Sequence, residues 1–159
     1  MTILHLYETH LPVQNTDVSQ RFYVDVVGLQ FAYRDPGRDI VFLWIGADRM
    51  SMLGLWGPTT TYGSRPHLCH FAIALSLPDL LLAGPRLNKL GVTTRNFMEE
   101  ETIEPSVIGW IPSAQLYFRD PDGHSVEYLS LLDDTPDPKF IGPLSEWKKF
   151  SSMKSSLPG

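Results

Sequence analysis

Three segments carry residue types that bind metals or move protons: Glu8 and His10 in YETHLPV, His70 in HFAIAL, and Ser125 and Glu127 in DPDGHSVEYL. Side chains alternate along a strand, so Glu8 and His10 share one face, as do Ser125 and Glu127. Imidazole and carboxylate ligands with open positions suit Zn, Mn, Fe, Co or Ni, and three protein ligands leave room for a substrate. A carboxylate buried without a partner is costly, and a cation removes that cost. Each residue also has a plainer reading. Glu8 reads as a solvated strand charge, His70 as a satisfied core or edge histidine, and Glu127 as a structural residue. His10 lies one pleat from Glu8 and reads as a substitute ligand, a group behind the ligand, or an acid–base residue. His5, His67 and His124 read as turn or strand-end histidines. Cys69 neighbours His70 on the opposite strand face and reads as a small buried apolar residue rather than a nucleophile. Trp44, Trp56, Met50 and Met52 read as core or cavity wall, and those on a cavity favour an apolar or aromatic substrate part. Tyr117 and Arg119 are weaker candidates for substrate contact.

The elements that must position these residues are written twice. ETHLPVQNTDVSQRFYVDVVGLQFAYRD and HFAIALSLPDLLLAGPRLNKLGVTTRN both open with a strand-like apolar run. Each then has a helix-start signal, Asn15-Thr16-Asp17 or Ser76-Leu77-Pro78-Asp79, and a closing glycine, Gly28 or Gly91, suited to a left-handed C-cap. Val18, Phe22 and Val26 in the first helix, with Leu80 and Leu81 in the second, are the expected inward residues. Strand-like pieces follow at 29–33, 40–45 and 50–56, and again at 92–95, 114–118 and 125–131. Both copies read β-α-β-β-β. Residues 96–112, with Glu99, Glu100, Glu101 and Glu104, read as a solvated loop, with a lid or specificity loop as the alternative.

A βαβββ unit leaves a sheet face and an edge open, so two side by side would form a curved mixed sheet around a cavity, helices outside. The expected division is one α+β domain over residues 1–134, built of modules 1–62 and 63–134, and a C-terminal tail over 135–159. That Pro-, Ser- and Lys-rich tail is expected to be extended, with Phe140, Leu144 and Trp147 docking on the body or on a partner subunit.

Composition bounds the function classes. The chain has 159 residues, 43% of them hydrophobic and 11% aromatic, which is the profile of a globular protein. A net charge of −5 without a basic stripe argues against nucleic acid. Lys148, Lys149 and Lys154 form the only dense basic feature and read as part of a solvated tail. One cysteine permits no internal disulfide, which fits a reducing cytoplasm. No signal peptide opens the chain and no run approaches the roughly 20 apolar residues that cross a bilayer. A small-molecule partner is expected, without membrane association.

Taken together, Ser19, Phe22, Tyr23, Val26, Gly28 and Leu29 after Asn15, His70 in HFAIAL, and the DPDGHSVEY run resemble the vicinal oxygen chelate superfamily. That superfamily includes glyoxalase I, fosfomycin-resistance thiol transferases, extradiol dioxygenases and bleomycin-binding proteins. The match spans about residues 5–132. It implies paired βαβββ modules, often a homodimer, and a divalent metal on the inner sheet surface. Carried over by position, the implied ligands are Glu8, where His is commoner, His70 and Glu127. The module-one counterpart of Glu127 falls at or beside Met52, which is no hard-metal ligand. The implied function is metal-dependent chemistry on a small oxygenated substrate, of lyase, isomerase or thiol-transferase type, with Glu127 and Glu8 moving protons. His10, Met52, Trp56 and Tyr117 are the expected substrate contacts. A metal-free protein sequestering an aromatic or drug-like ligand is the alternative, and an extradiol-type dioxygenase a further one. A thiol transferase of the fosfomycin type would need a cationic cleft, and no such cluster is evident along the chain.

Overall fold

The structure, a computed structural model, describes residues 2–155 and side chains through residue 152, so the Lys154 side chain of the basic cluster lies outside the described residues. The chain divides into two compact units, Met1–Cys69 with Asp120–His124, and His70–Arg119 with Ser125–Gly159. Each contains a β-α-β-β-β succession, so the fold is α+β with the expected internal repeat.

The first unit runs β1 (Glu8–Pro12), α1 (Thr16–Arg21), a π-helical continuation (Phe22–Val27), β2 (Gln30–Arg34), β3 (Ile40–Ile45) and β4 (Ser51–Trp56). Its sheet has the order β1-β4-β3-β2, with β1 parallel to β4 and the other pairs antiparallel. The Asn15 side chain accepts hydrogen bonds from the Asp17 and Val18 amides, satisfying donors that the first helical turn leaves open. The helix closes at Gly28 with φ 94°, a backbone state that glycine reaches without steric cost. Leu11, Val41, Leu43, Leu53 and Leu55 are buried on one sheet face. The helix buries Thr16, Ser19 and Tyr23; of the expected inward residues, Val18 is exposed, while Phe22 and Val26 are half-buried. Hydrophobicity misleads there because the Tyr23 hydroxyl donates to buried Asp120 at 2.8 Å, a partner supplied from far along the chain.

The second unit runs β5 (His70–Ala74), α2 (Leu77–Lys89), β6 (Thr94–Arg95), β7 (Ser106–Ile108), β8 (Ser113–Arg119), β9 (Ser125–Leu131), β10 (Ile141–Pro143) and α3 (Leu144–Ser155). The sheet order is β10-β7-β8-β9-β5, with β6 also paired to β8. β5 lies parallel to β9, just as β1 lies parallel to β4. Ser76 accepts from the Asp79 amide and starts α2, which buries Leu80, Ala83, Gly84 and Leu87. Leu81 is exposed, contrary to expectation, because the 3.6-residue period that buries Leu80 and Leu87 turns position 81 outward.

Two segments are more ordered than their composition suggests. The 96–112 stretch is not a loop throughout, because it contains β7, where Ser106 and Val107 are buried between β8 and β10. The C-terminal segment is not extended: it adds β10 to the sheet and forms α3. Trp147 there is 1% exposed and donates its indole N–H to Asp134 at 2.8 Å. The polar and proline-rich composition of these segments conceals short elements whose stability comes from packing rather than propensity. No helix of the described residues is long and apolar enough to cross a membrane.

Candidate functional site

In the first unit, the β1/β4 register places Glu8 opposite Met52 and His10 opposite Gly54. Glu8 and His10 share a face, as alternation requires, and His10 Nε2 lies 2.5 Å from Glu8 Oε1. A carboxylate only accepts, so Nε2 carries the proton. Both side chains are about one-third exposed, at 31% and 32%. The His10 ring packs against Trp56 at 4.9 Å and Tyr62 at 5.5 Å between centroids, and those two rings meet at 4.7 Å. Gly54 permits this, since a Cβ there would lie 2.7 Å from His10 Cδ2 and 3.0 Å from Trp56 Nε1. Phe42 and Trp44 pair with Gly54 and Met52 on the same half-buried face, so the patch is predominantly aromatic.

In the second unit, His70 pairs with Ser125 and Ala72 with Glu127, so the histidine and the carboxylate sit diagonally on adjacent parallel strands. His70 Nε2 lies 3.1 Å from Glu127 Oε2; the histidine side chain is 54% exposed and the carboxylate 8%. Tyr117, opposite Glu127 on β8, hydrogen-bonds the same carboxylate, and its ring stacks on His70 with centroids 6.1 Å apart. Burial raises the Glu127 pKa from its ordinary value, while His70 and the Tyr117 hydroxyl act in the opposite direction. Burial, then the Glu127 charge, pushes the Tyr117 hydroxyl well above its ordinary value, so it stays protonated and donates. This arrangement holds a buried carboxylate beside an exposed imidazole.

The structure therefore brings Glu8 to His10, and His70 and Glu127 to Tyr117. Among the described residues no three His, Cys, Asp or Glu side chains form a group able to hold a metal ion. The donors are of suitable chemistry, nitrogen and carboxylate oxygen, but two in each unit are fewer than the three a catalytic metal ordinarily takes. The registers also refine the repeat. If His70 corresponds to Glu8, then Glu127 corresponds to Gly54 rather than Met52, and the missing side chain there is what lets His10 fold over the strand.

The other histidines are not alike. His5 Nε2 meets the Met50 carbonyl and His67 Nδ1 the Arg65 carbonyl, both exposed, in keeping with strand-end and turn roles. His124 is instead buried, at 2% exposure. Its Nδ1 accepts from the Cys69 amide at 3.1 Å, so its Nε2 donates to the Pro12 carbonyl at 2.7 Å. Alternation was the available signal, because His124, Val126 and Tyr128 share the face opposite Glu127 and all are buried. Cys69 is half-buried and its thiol is raised by burial, away from nucleophilic character.

Each of the two β-α-β-β-β units thus carries one carboxylate–imidazole pair on its sheet. The sequence profile of the Glyoxalase/Bleomycin resistance protein/Dioxygenase superfamily matches residues 2–128, and the chain belongs to that superfamily. No curated protein matches it significantly. Among solved structures it is similar to integron cassette protein HFX_CASS4 from the mobile metagenome of the Halifax Harbour sewage outfall. That match has 26% identity and a TM-score of 0.68, over 81% of this chain and 100% of the other. Lactoylglutathione lyase from Agrobacterium tumefaciens shares 25% identity and a TM-score of 0.60, over 79% and 92% of the two chains. TnmS3, an antibiotic binding protein from Streptomyces sp. CB03234, matches at 21% identity and a TM-score of 0.63, over 83% and 99%. The last shows the fold alone.

Proposed function

We propose that this protein is a metal-dependent enzyme acting on a small oxygenated substrate, with lyase, isomerase or thiol-transferase chemistry. The observation that carries the reading is the buried Glu127 carboxylate, held between His70 and Tyr117 on adjacent strands. His70 and Glu127 are the residues proposed to hold a divalent cation such as Zn, Mn, Ni, Co or Fe, and Glu8 is a separate candidate ligand on the first unit. When bound, that cation supplies Lewis acidity toward substrate oxygens. Tyr117 keeps Glu127 oriented and, by donating to it, lowers the cost of its charge. Glu127 is the group that accepts a proton from the substrate, and Glu8 is a second candidate for that role. In unit one, His10 and Glu8 form a proton-holding pair, and Met52 and Trp56 furnish apolar contact. A homodimer working in the cytoplasm is part of this reading.

The test is metal analysis of protein purified without chelator, repeated on His70→Ala, Glu127→Ala and Glu8→Ala. Stoichiometric metal that disappears from the first two variants, and from the third if Glu8 is a ligand, supports the reading. Folded wild-type protein that takes up none of the five metals sinks it. In that event the second reading applies: metal-free sequestration of a flat aromatic ligand, favoured by the ring cluster of His10, Trp56 and Tyr62. An extradiol-type dioxygenase is a further alternative, distinguished by ring-cleaving turnover of catechols with iron and dioxygen.

A further inference from the structure

Two arginines on different strands share the sheet face that carries Glu127. Arg95 on β6 pairs with Tyr117 on β8, and Tyr117 pairs with Glu127. Arg119 lies one pleat further along β8, opposite Ser125, which in turn neighbours His70. Directly opposed residues project to the same face, so Arg95, Tyr117, Arg119, Glu127 and His70 share one surface.

Each arginine is met by a carboxylate from the segment that follows β6. Arg119 Nη2 lies 3.0 Å from both Glu99 oxygens, and Arg95 Nη2 lies 3.8 Å from Glu101 Oε1. The segment is folded for this. The Asn96 side chain accepts from the Met98 and Glu100 amides, and Glu99 takes the left-handed backbone state at φ 63°, unusual for a residue with a Cβ. The Arg95–Glu101 contact is beyond hydrogen-bond length, and the Arg119–Glu99 contact lies at the surface. The Arg95 Nε is buried with no hydrogen-bond partner among the described residues. The two glutamates are exposed, so breaking their pairs costs little.

We propose that Arg95 and Arg119 form an anion subsite that takes a carboxylate of the ligand, and that Glu99 and Glu101 occupy it in the ligand-free protein. The glutamates stand in for the ligand's own carboxylate; a ligand that places a planar anion between the arginines displaces them and frees the 96–101 segment. A carboxylate is the anion assigned because the groups that already meet both arginines are carboxylates. The inference rests on reading the His70–Glu127 face as the ligand-binding face, and it deepens that reading by naming the substrate class.

The experiment uses chelator-stripped full-length protein, so that no metal contributes, and titrates benzoate, its neutral counterpart benzamide, and inorganic phosphate by NMR. Benzoate should bind more tightly than benzamide. Glu99→Gln with Glu101→Gln should tighten benzoate about threefold, the scale of one exposed ion pair, without changing benzamide. Arg119→Gln and Arg95→Gln should erase the preference, and Arg119→Lys should retain part of it. Equal binding of benzoate and benzamide overturns the proposal, as does a benzoate affinity indifferent to the glutamate substitutions. Phosphate binding as tight as benzoate, with the same arginine dependence, overturns the carboxylate assignment. Because the glutamates are exposed, their variants report even if an arginine variant fails to fold. Metal content of the unstripped protein is read separately, so loss of this subsite and loss of the metal reading are distinguishable.

Discussion

At Glu127 two tendencies oppose one another. Burial disfavours the charged carboxylate, whereas His70 and the Tyr117 hydroxyl favour it, and burial is the larger, so the native carboxyl ionises at higher pH than an unfolded one. The folded metal-free protein therefore binds this proton more tightly than the unfolded chain does. Glu127 contributes that stability in full below the unfolded carboxyl pKa of about 4.3, and the contribution is lost as pH rises through the raised native value. Glu127→Gln should flatten this decline, measured as urea midpoints against pH for both proteins in chelator; parallel curves would count against the assignment. Tyr117→Phe should move the Glu127 titration further upward, since it removes a donor to the charged form, and carboxyl NMR would show it. The residue types at 8, 10, 70 and 127 were legible as candidates because strand alternation places them. Tyr117 as the support of Glu127 was not legible, because their partnership depends on the β8/β9 register.

Among the elements, α2 shows where local and long-range preferences diverge. Alanine is favoured over glycine inside a helix by up to about 1 kcal/mol. At Gly84, however, an added Cβ would lie 2.6 Å from the Ile103 carbonyl oxygen, a backbone atom that cannot rotate away as a side chain would. Overpacking of this kind costs roughly 1–3 kcal/mol, so Gly84→Ala should lower the melting temperature; an increase would mean that Ile103 yields freely. Helix starts at Asn15 and Ser76 and the closing glycines were readable from sequence, because a cap depends on three or four consecutive residues. β7, β10 and α3 were not, since each is short or weakly patterned and owes its order to neighbours: Ser106 and Val107 lie between strands, and Trp147 packs on Phe140.

For the whole molecule, the division into units does not follow the chain. Asp120–His124 groups with the first unit although the flanking strands β8 and β9 belong to the second. That turn is held by the Tyr23 hydroxyl on Asp120, by the Gln14 amide and Ser19 hydroxyl on Asp122, and by His124 between Pro12 and Cys69. Tyr23→Phe removes a buried bond and leaves Asp120 less satisfied, so it should cost about 1–3 kcal/mol in urea unfolding. A loss below about 0.5 kcal/mol, typical of surface changes, would show that the turn is fastened elsewhere. The sequence by itself determined the βαβββ repeat, the superfamily, the helix caps and the residue types able to do chemistry, since these depend on periodicity and adjacent residues. Only the tertiary structure decided which partners those residues meet: Gly54 under His10, Tyr117 on Glu127, Arg95 across from Tyr117, and His124 buried in the first unit. Such pairings join positions tens of residues apart through strand register, and register is set by the packing of whole sheet faces rather than by any one segment.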